Sequence, residues 1–139
     1  MSILKVIINR LGSTATKRHK QKKLSKSVKL ERDRARRLVY EKLEYWNSYY
    51  NFSYKRIAIR DQKTRWGSCS SKKNLNFNYR ILYLPEELQD YLIVHELCHV
   101  AEMNHGRNYW RLVSRTQPDY KKQGKALRRL RPYSVRPIH

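Results

Sequence analysis

The chain has 139 residues, 40% of them hydrophobic, and a net charge of +21 from 32 Lys and Arg against 11 Asp and Glu. That length makes one domain, or one domain with an arm, around a real but modest core. No apolar run is long enough to cross a bilayer, and the Met1–Ile8 stretch is too short for a secretory signal and has no cleavage pattern after it. The expectation is a cytoplasmic protein that does not engage a membrane, with Cys69 and Cys98 as reduced thiols. The charge is uneven: residues 1–37 hold 13 Lys and Arg against two acids, residues 119–139 hold seven against one, and residues 38–118 hold 12 against eight. Basic ends of this kind point to non-specific contact with a polyanion such as nucleic acid.

In chain order, Ile3 to Ile8 is apolar and mostly β-branched and predicts a short strand. Gly12 to Lys29 has few apolar residues and many Lys, Ser and Thr. It predicts a linker or mobile arm, so residues 1–29 are expected as a strand plus a basic arm. From Leu30 to Tyr50, Ala35, Leu38/Val39, Leu43, Trp46 and Tyr49/Tyr50 recur at three- and four-residue steps and predict a helix, which Asn51 breaks. Arg56–Arg60, Arg65–Cys69 and Leu75–Tyr79 predict three strands, the last two joined by a hairpin turn at Ser70–Asn74. Leu75, Phe77 and Tyr79 should pack inward, leaving Asn76, Asn78 and Arg80 as a polar row.

Pro85, Glu86 and Glu87 open the next helix, where proline is tolerated and acids suit the positive end of the dipole. This helix carries His95-Glu96-Leu97-Cys98-His99. Positions i and i+4 share a face, so His95 and His99 can grip one metal ion together. Glu96 leaves at another angle, free to act on a metal-bound water. Leu92, Ile93, Val94, Leu97, Cys98, Val100 and Ala101 make the segment apolar nearly all round, which predicts a buried central helix. Two His and a Glu buried there are costly without partners, and a metal ion is a common one.

His105 lies too far along a continuous helix to share the ion with His95, given a rise of about 1.5 Å per residue. The chain must turn back, and Asn104 and Gly106, both favoured in a left-handed helix end, are expected to make the reversal. Glu102 is the rival ligand and reads instead as a surface or supporting carboxylate. A short helix over Asn108–Thr116 should turn Tyr109, Trp110, Leu112 and Val113 to the core. Pro118 interrupts it. A basic helix over Tyr120–Leu130 follows, closing a domain expected at 30–131, and residues 132–139 form an extended tail.

Three neutral His leave one zinc ion an open position for water, whose pKa falls towards ~7. Glu96 then serves as general base and afterwards as general acid. A donor to the developing oxyanion is also needed. Tyr109, Arg65 and Tyr79 are candidates, and the sequence does not choose among them. The usual burial of aromatics favours core packing for Trp66, Trp110 and Tyr109.

Lys63-Thr-Arg-Trp-Gly-Ser-Cys-Ser70, Leu75-Asn-Phe-Asn78, Leu84-Pro85, His95-Glu-Leu-Cys-His99, Asn104-His105, Tyr109-Trp110 and Pro118-Asp-Tyr120 together resemble the YgjP-like metallopeptidase family, over about residues 31–130. That family is related to the SprT-like and broader zincin metalloproteases. The resemblance implies zinc on His95, His99 and His105, a catalytic Glu96, and a protein or peptide substrate. It implies an α+β, zincin-like minimal domain, with a small antiparallel sheet packed against a central HExxH helix and flanking helices. Members usually carry a longer β-rich region before the first helix, where this chain has a short strand and a basic arm. The His spacing equals that of metzincins, but Glu102 stands at their glycine and Met103 is too close to form their Met-turn, so that reading is rejected. In zincins the substrate lies along an edge strand beside the metal, which here would be the Arg65–Ser70 strand or its hairpin partner, with Asn76, Asn78 and Arg80 as substrate-facing candidates.

The expected function is zinc-dependent peptide-bond hydrolysis near nucleic acid. One alternative is a metal-dependent nucleoside triphosphate pyrophosphatase or phosphohydrolase. Against it, there is no Gly-rich phosphate loop, and three His suit zinc better than magnesium. Another is a non-catalytic, zinc-stabilised nucleic-acid-binding module, for which Glu96 would have no use.

Overall fold

The computed structural model describes residues 3–135, and the side chains of residues 26–135. The chain divides into two units, Met1–Asp33 and Arg34–His139. In the first unit the described backbone is helical and belongs to α1 (Ile3–Tyr50). The strand expected at Ile3–Ile8 is therefore corrected to helix, and the backbone of the stretch expected as a linker or arm at Gly12–Lys29 is helical too. A short apolar run does not by itself distinguish strand from helix. The Lys, Arg, Gln and Leu of this stretch are good helix formers.

The second unit begins with the remainder of α1. Ala35, Val39, Leu43 and Tyr50 form its buried stripe, while Tyr49 is 54% exposed. Asn51 ends the helix in the left-handed region with φ 56°, and the Asn47 side chain brackets Phe52 through both its backbone N–H and its carbonyl. Three strands follow, β1 (Ile57–Arg60), β2 (Gly67–Cys69) and β3 (Leu75–Asn78), in the order β1-β3-β2. The β2–β3 hairpin is antiparallel and turns through Lys73 at φ 65°. However, β1 runs parallel to β3, with Ile57 opposite Leu75. The sheet is thus mixed rather than wholly antiparallel. Its cause is topological: β3 inserts between β1 and β2, and β2 opposes both.

Leu75, Phe77 and Tyr79 are buried as expected. Asn78 departs from the expected polar row, being 1% exposed. Its amide donates to the carbonyls of Gln62 and Arg65 and its oxygen accepts from Arg80 N–H, which starts a 3-10 turn over Tyr79–Tyr83. A buried amide must find such partners.

Helix α2 (Glu86–Cys98) begins after Pro85 and is buried on most sides, Leu92, Ile93, Val94, Leu97 and Cys98 being nearly inaccessible. Burying side chains of this size stabilises by ~1.5–3 kcal/mol each. It packs on β2, on α3 (Arg107–Ser114) and on α4 (Tyr120–Arg129). Asp90 fixes α2 to α1 by accepting from Lys42 Nζ at 2.6 Å and Trp46 Nε1 at 3.2 Å. Beyond α4 the Pro132–Ser134 segment is a 3-10 turn rather than extended, and residues 136–139 of the expected tail lie outside the described residues. Among the described residues no helix is long and apolar enough to cross a membrane.

Candidate metal centre and cleft

His95 and His99 sit one turn apart at the end of α2, His99 being its last cap. Ala101 and Glu102 N–H both return to the Cys98 carbonyl, and the chain then bends into α3. No described residue of this reversal has positive φ, and Gly106 is extended at φ −83° as the first residue before α3. The left-handed turn expected at Asn104 and Gly106 is therefore not used. The reversal comes instead from a loosened last turn followed by a new helix start, which places His105 just ahead of α3.

The ligand atoms of His95, His99 and His105 lie within 4.8 Å of one another. Glu102 is outside that cluster; its carbonyl accepts from His99 Nδ1–H at 3.0 Å. This bond leaves His99 Nε2 as the free lone pair. On the other side, Tyr91 Oη lies 3.3 Å from His95 Nδ1. Burial, reinforced by His99 and His105, pushes His95 down to about 3, and burial also lowers His99. Neutral imidazoles are what a metal ion requires. The donor set and its spacing fit one divalent ion.

Glu96 is 5% exposed, and its Oε1 lies 3.9 Å from His95 Nε2. Burial pushes its carboxyl up to about 8, opposed by the charge of Arg65. It reaches the sheet because residue 67 is glycine: a Cβ there would stand 2.9 Å from the Asn76 carbonyl and 3.0 Å from Glu96 Cγ. Glu96, His95 and His105 line a cleft of about 550 Å³ with Arg65, Trp66, Tyr91 and the α4 residues Gly124, Leu127 and Arg128. Trp66 Nε1 donates to the Leu130 carbonyl at 2.6 Å, tying the strand side of the cleft to the end of α4.

The four substrate-side candidates are placed differently. Arg65 is exposed on the cleft rim. Tyr109 is fully buried, its hydroxyl donates to the His95 carbonyl at 2.8 Å, and its ring stacks on His99 at 4.5 Å. Tyr79 is buried under the Arg80 guanidinium and away from the cleft lining. Asn76 bonds to Ser68 Oγ and accepts from Arg60 within the sheet. The strand order makes β2 an edge and β3 central, so of the two edge candidates only β2 is at the border.

Sequence reasoning overlooked Tyr91, Gly67, Gly124, Arg128 and Arg131. Tyr91 was one turn before His95 on the same face. Gly67 inside a strand and Gly124 inside a helix each cost stability, and such glycines mark a close approach. At Gly124 a Cβ would stand 2.8 Å from Tyr91 Oη.

The family model of the YgjP-like metallopeptidase domain matches residues 2–130, so the match extends well before the residues that carry the resemblance. Among solved structures, the metallopeptidase zymogen abylysin of Pyrococcus abyssi is similar in fold, at 23% identity over 64% of this chain and 90% of that one, with TM-score 0.58. The metallopeptidase zymogen jannalysin of Methanocaldococcus jannaschii is likewise similar, at 27% identity over 67% and 92%, with TM-score 0.52. No curated protein gives a significant match. A zincin-like α+β fold, a three-histidine cluster beside a buried glutamate, and a family match over nearly the whole chain converge: the chain belongs to the YgjP-like metallopeptidase family and is a peptidase.

Proposed function

We propose that the protein is a zinc peptidase in which His95, His99 and His105 hold a single zinc ion and Glu96 is the catalytic acid and base. The observation that carries this reading is the convergence of three imidazoles on one point, with the Glu96 carboxyl 3.9 Å from the first of them. Nitrogen ligands of this number suit zinc and leave a coordination position for chemistry. Bound there, the ion supplies Lewis acidity towards a scissile carbonyl and towards water. Glu96 takes a proton from water in the cleft and delivers it to the departing nitrogen. The peptide lies along the β2 edge, adding to the sheet by main-chain hydrogen bonds. Arg65 is the exposed donor on that side and the best placed of the candidates for the oxyanion. Tyr91 accepts from His95 Nδ1–H and so directs Nε2 to the metal.

The 13 Lys and Arg of residues 1–37 give the enzyme a non-specific attraction to nucleic acid. Metal analysis of the purified protein, with casein hydrolysis by wild type beside Glu96→Ala, tests the catalytic reading. One zinc per chain and loss of hydrolysis in the variant are expected, and equal hydrolysis by both proteins would refute it. DNA affinity that is flat with salt, or that survives deletion of residues 1–29, would refute the second part.

A further inference from the structure

Three arginines, Arg65, Arg128 and Arg131, line the cleft, and the only carboxylate lining it among the described residues is Glu96. Two basic side chains elsewhere in the fold are ion-paired. Arg80 meets Asp61 at 2.6 Å, and Lys42 meets Asp90 at 2.6 Å and Glu86 at 3.5 Å. The three cleft arginines have no such partner among the described residues. Arg128 lines the same cleft as His95 and His105. Its Nη1 lies 3.9 Å, and Tyr91 Oη 2.8 Å, from the point where a Cβ on Gly124 would stand. Tyr91 Oη in turn contacts His95. The bare backbone at Gly124 thus makes room for the Tyr91 hydroxyl beside His95, with the Arg128 guanidinium next to it. The cleft walls also include the apolar side chains of Leu92, Trp110, Leu127 and Leu130.

A guanidinium beside apolar walls favours a planar anion that takes two parallel hydrogen bonds. We infer that the cleft selects peptides bearing a carboxylate close to the scissile bond, with Arg128 and Arg131 as its docking groups on the α4 side. This deepens the peptidase reading and rests on the scissile bond lying between Glu96 and the three histidines. The carboxylate is either an Asp or Glu side chain or a free C-terminus, and both present the same group.

Binding and turnover test the inference separately. Fluorescent peptides carrying Glu, Gln or Lys near the centre, each with a free or an amidated C-terminus, are titrated by anisotropy into zinc-loaded Glu96→Gln protein. The same peptides are then assayed with wild-type enzyme. Charge-assisted hydrogen bonds contribute about 1.5–3 kcal/mol, so the carboxylate peptides should bind ~10–100-fold more tightly than their amides. In turnover the preference should reside in KM and weaken with salt. Arg128→Gln should erase it without changing the melting temperature, and Arg128→Glu should transfer it to the Lys peptides. Preference that follows the terminus identifies a C-terminal carboxylate, and preference that follows Glu identifies a side chain. Equal binding of Glu and Gln peptides with either terminus, or a preference that survives Arg128→Gln, overturns the inference. So does displacement of peptide by inorganic triphosphate at lower concentration than by carboxylate peptides, which would make the cleft a phosphate site. Cleavage without preference would leave the peptidase reading intact, whereas preferential binding without cleavage would remove that reading and keep the carboxylate site.

Discussion

Replacing Gly67 by alanine isolates the seat of Glu96, the proposed catalytic acid and base. No glycine among the described residues has positive φ, so alanine meets no backbone penalty at position 67. Only contact decides the outcome. The new Cβ would lie 2.9 Å from the Asn76 carbonyl, 3.0 Å from Glu96 Cγ and 3.2 Å from Glu96 Oε1. The carbonyl belongs to β3, whose Asn76 is paired with Ser68 of β2, so it cannot retreat without loosening the ladder. The carboxylate must therefore move. Overpacking of this kind costs about 1–3 kcal/mol, offset in part by the lower unfolded-state entropy of alanine. In a chain of this size that lowers the melting temperature by roughly 3–10 °C. Displacement of a catalytic group by about 1 Å costs on the order of 100-fold in rate. The histidines are untouched, so zinc affinity measured by chelator competition should stay near wild type. Gly106→Ala is the matched control, because a Cβ there meets nothing within 4 Å. Its effect should fall within ~0.5 kcal/mol. A folded Gly67→Ala enzyme that hydrolyses casein at the wild-type rate would refute the idea that this glycine seats Glu96.

Three further outcomes follow from the geometry. Tyr91→Phe should weaken zinc binding by ~10–100-fold in chelator competition while leaving the metal-free melting temperature nearly unchanged, and Gly124→Ala should weaken it likewise by displacing the Tyr91 hydroxyl. Asn78→Ala should cost about 1–3 kcal/mol in urea unfolding, because the carbonyls of Gln62 and Arg65 lose their donor. Cys98 is fully buried and its thiol is pushed by burial up to about 12, so a thiol reagent at pH 8 should label it only on unfolding.

The histidine spacing was legible because a metal site imposes a short, local pattern on a helix. The three strands and the helices after Pro85 were legible through periodicity and punctuation. Residues 3–29 were not, since apolar clustering suits strand and helix alike and charge is a poor guide to backbone state. The parallel pairing of β1 with β3 was hidden because pairing partners leave no local trace. Asn78 looked like a solvated row member, yet its surroundings come from a loop 13 to 16 residues earlier. Arg128 and Arg131 were invisible for a different reason. In a chain with 32 Lys and Arg, nothing local separates the cations that line a cleft from those that merely face water.

The Trp66–Leu130 bond has a consequence for how the enzyme is born. A ribosome extending the chain at 5–20 residues per second makes His105 roughly 1–5 s before Leu130. The three imidazoles are therefore synthesised before the residue that anchors the far side of the cleft. The cleft is therefore closed on its α4 side only after every candidate metal ligand is already in the chain.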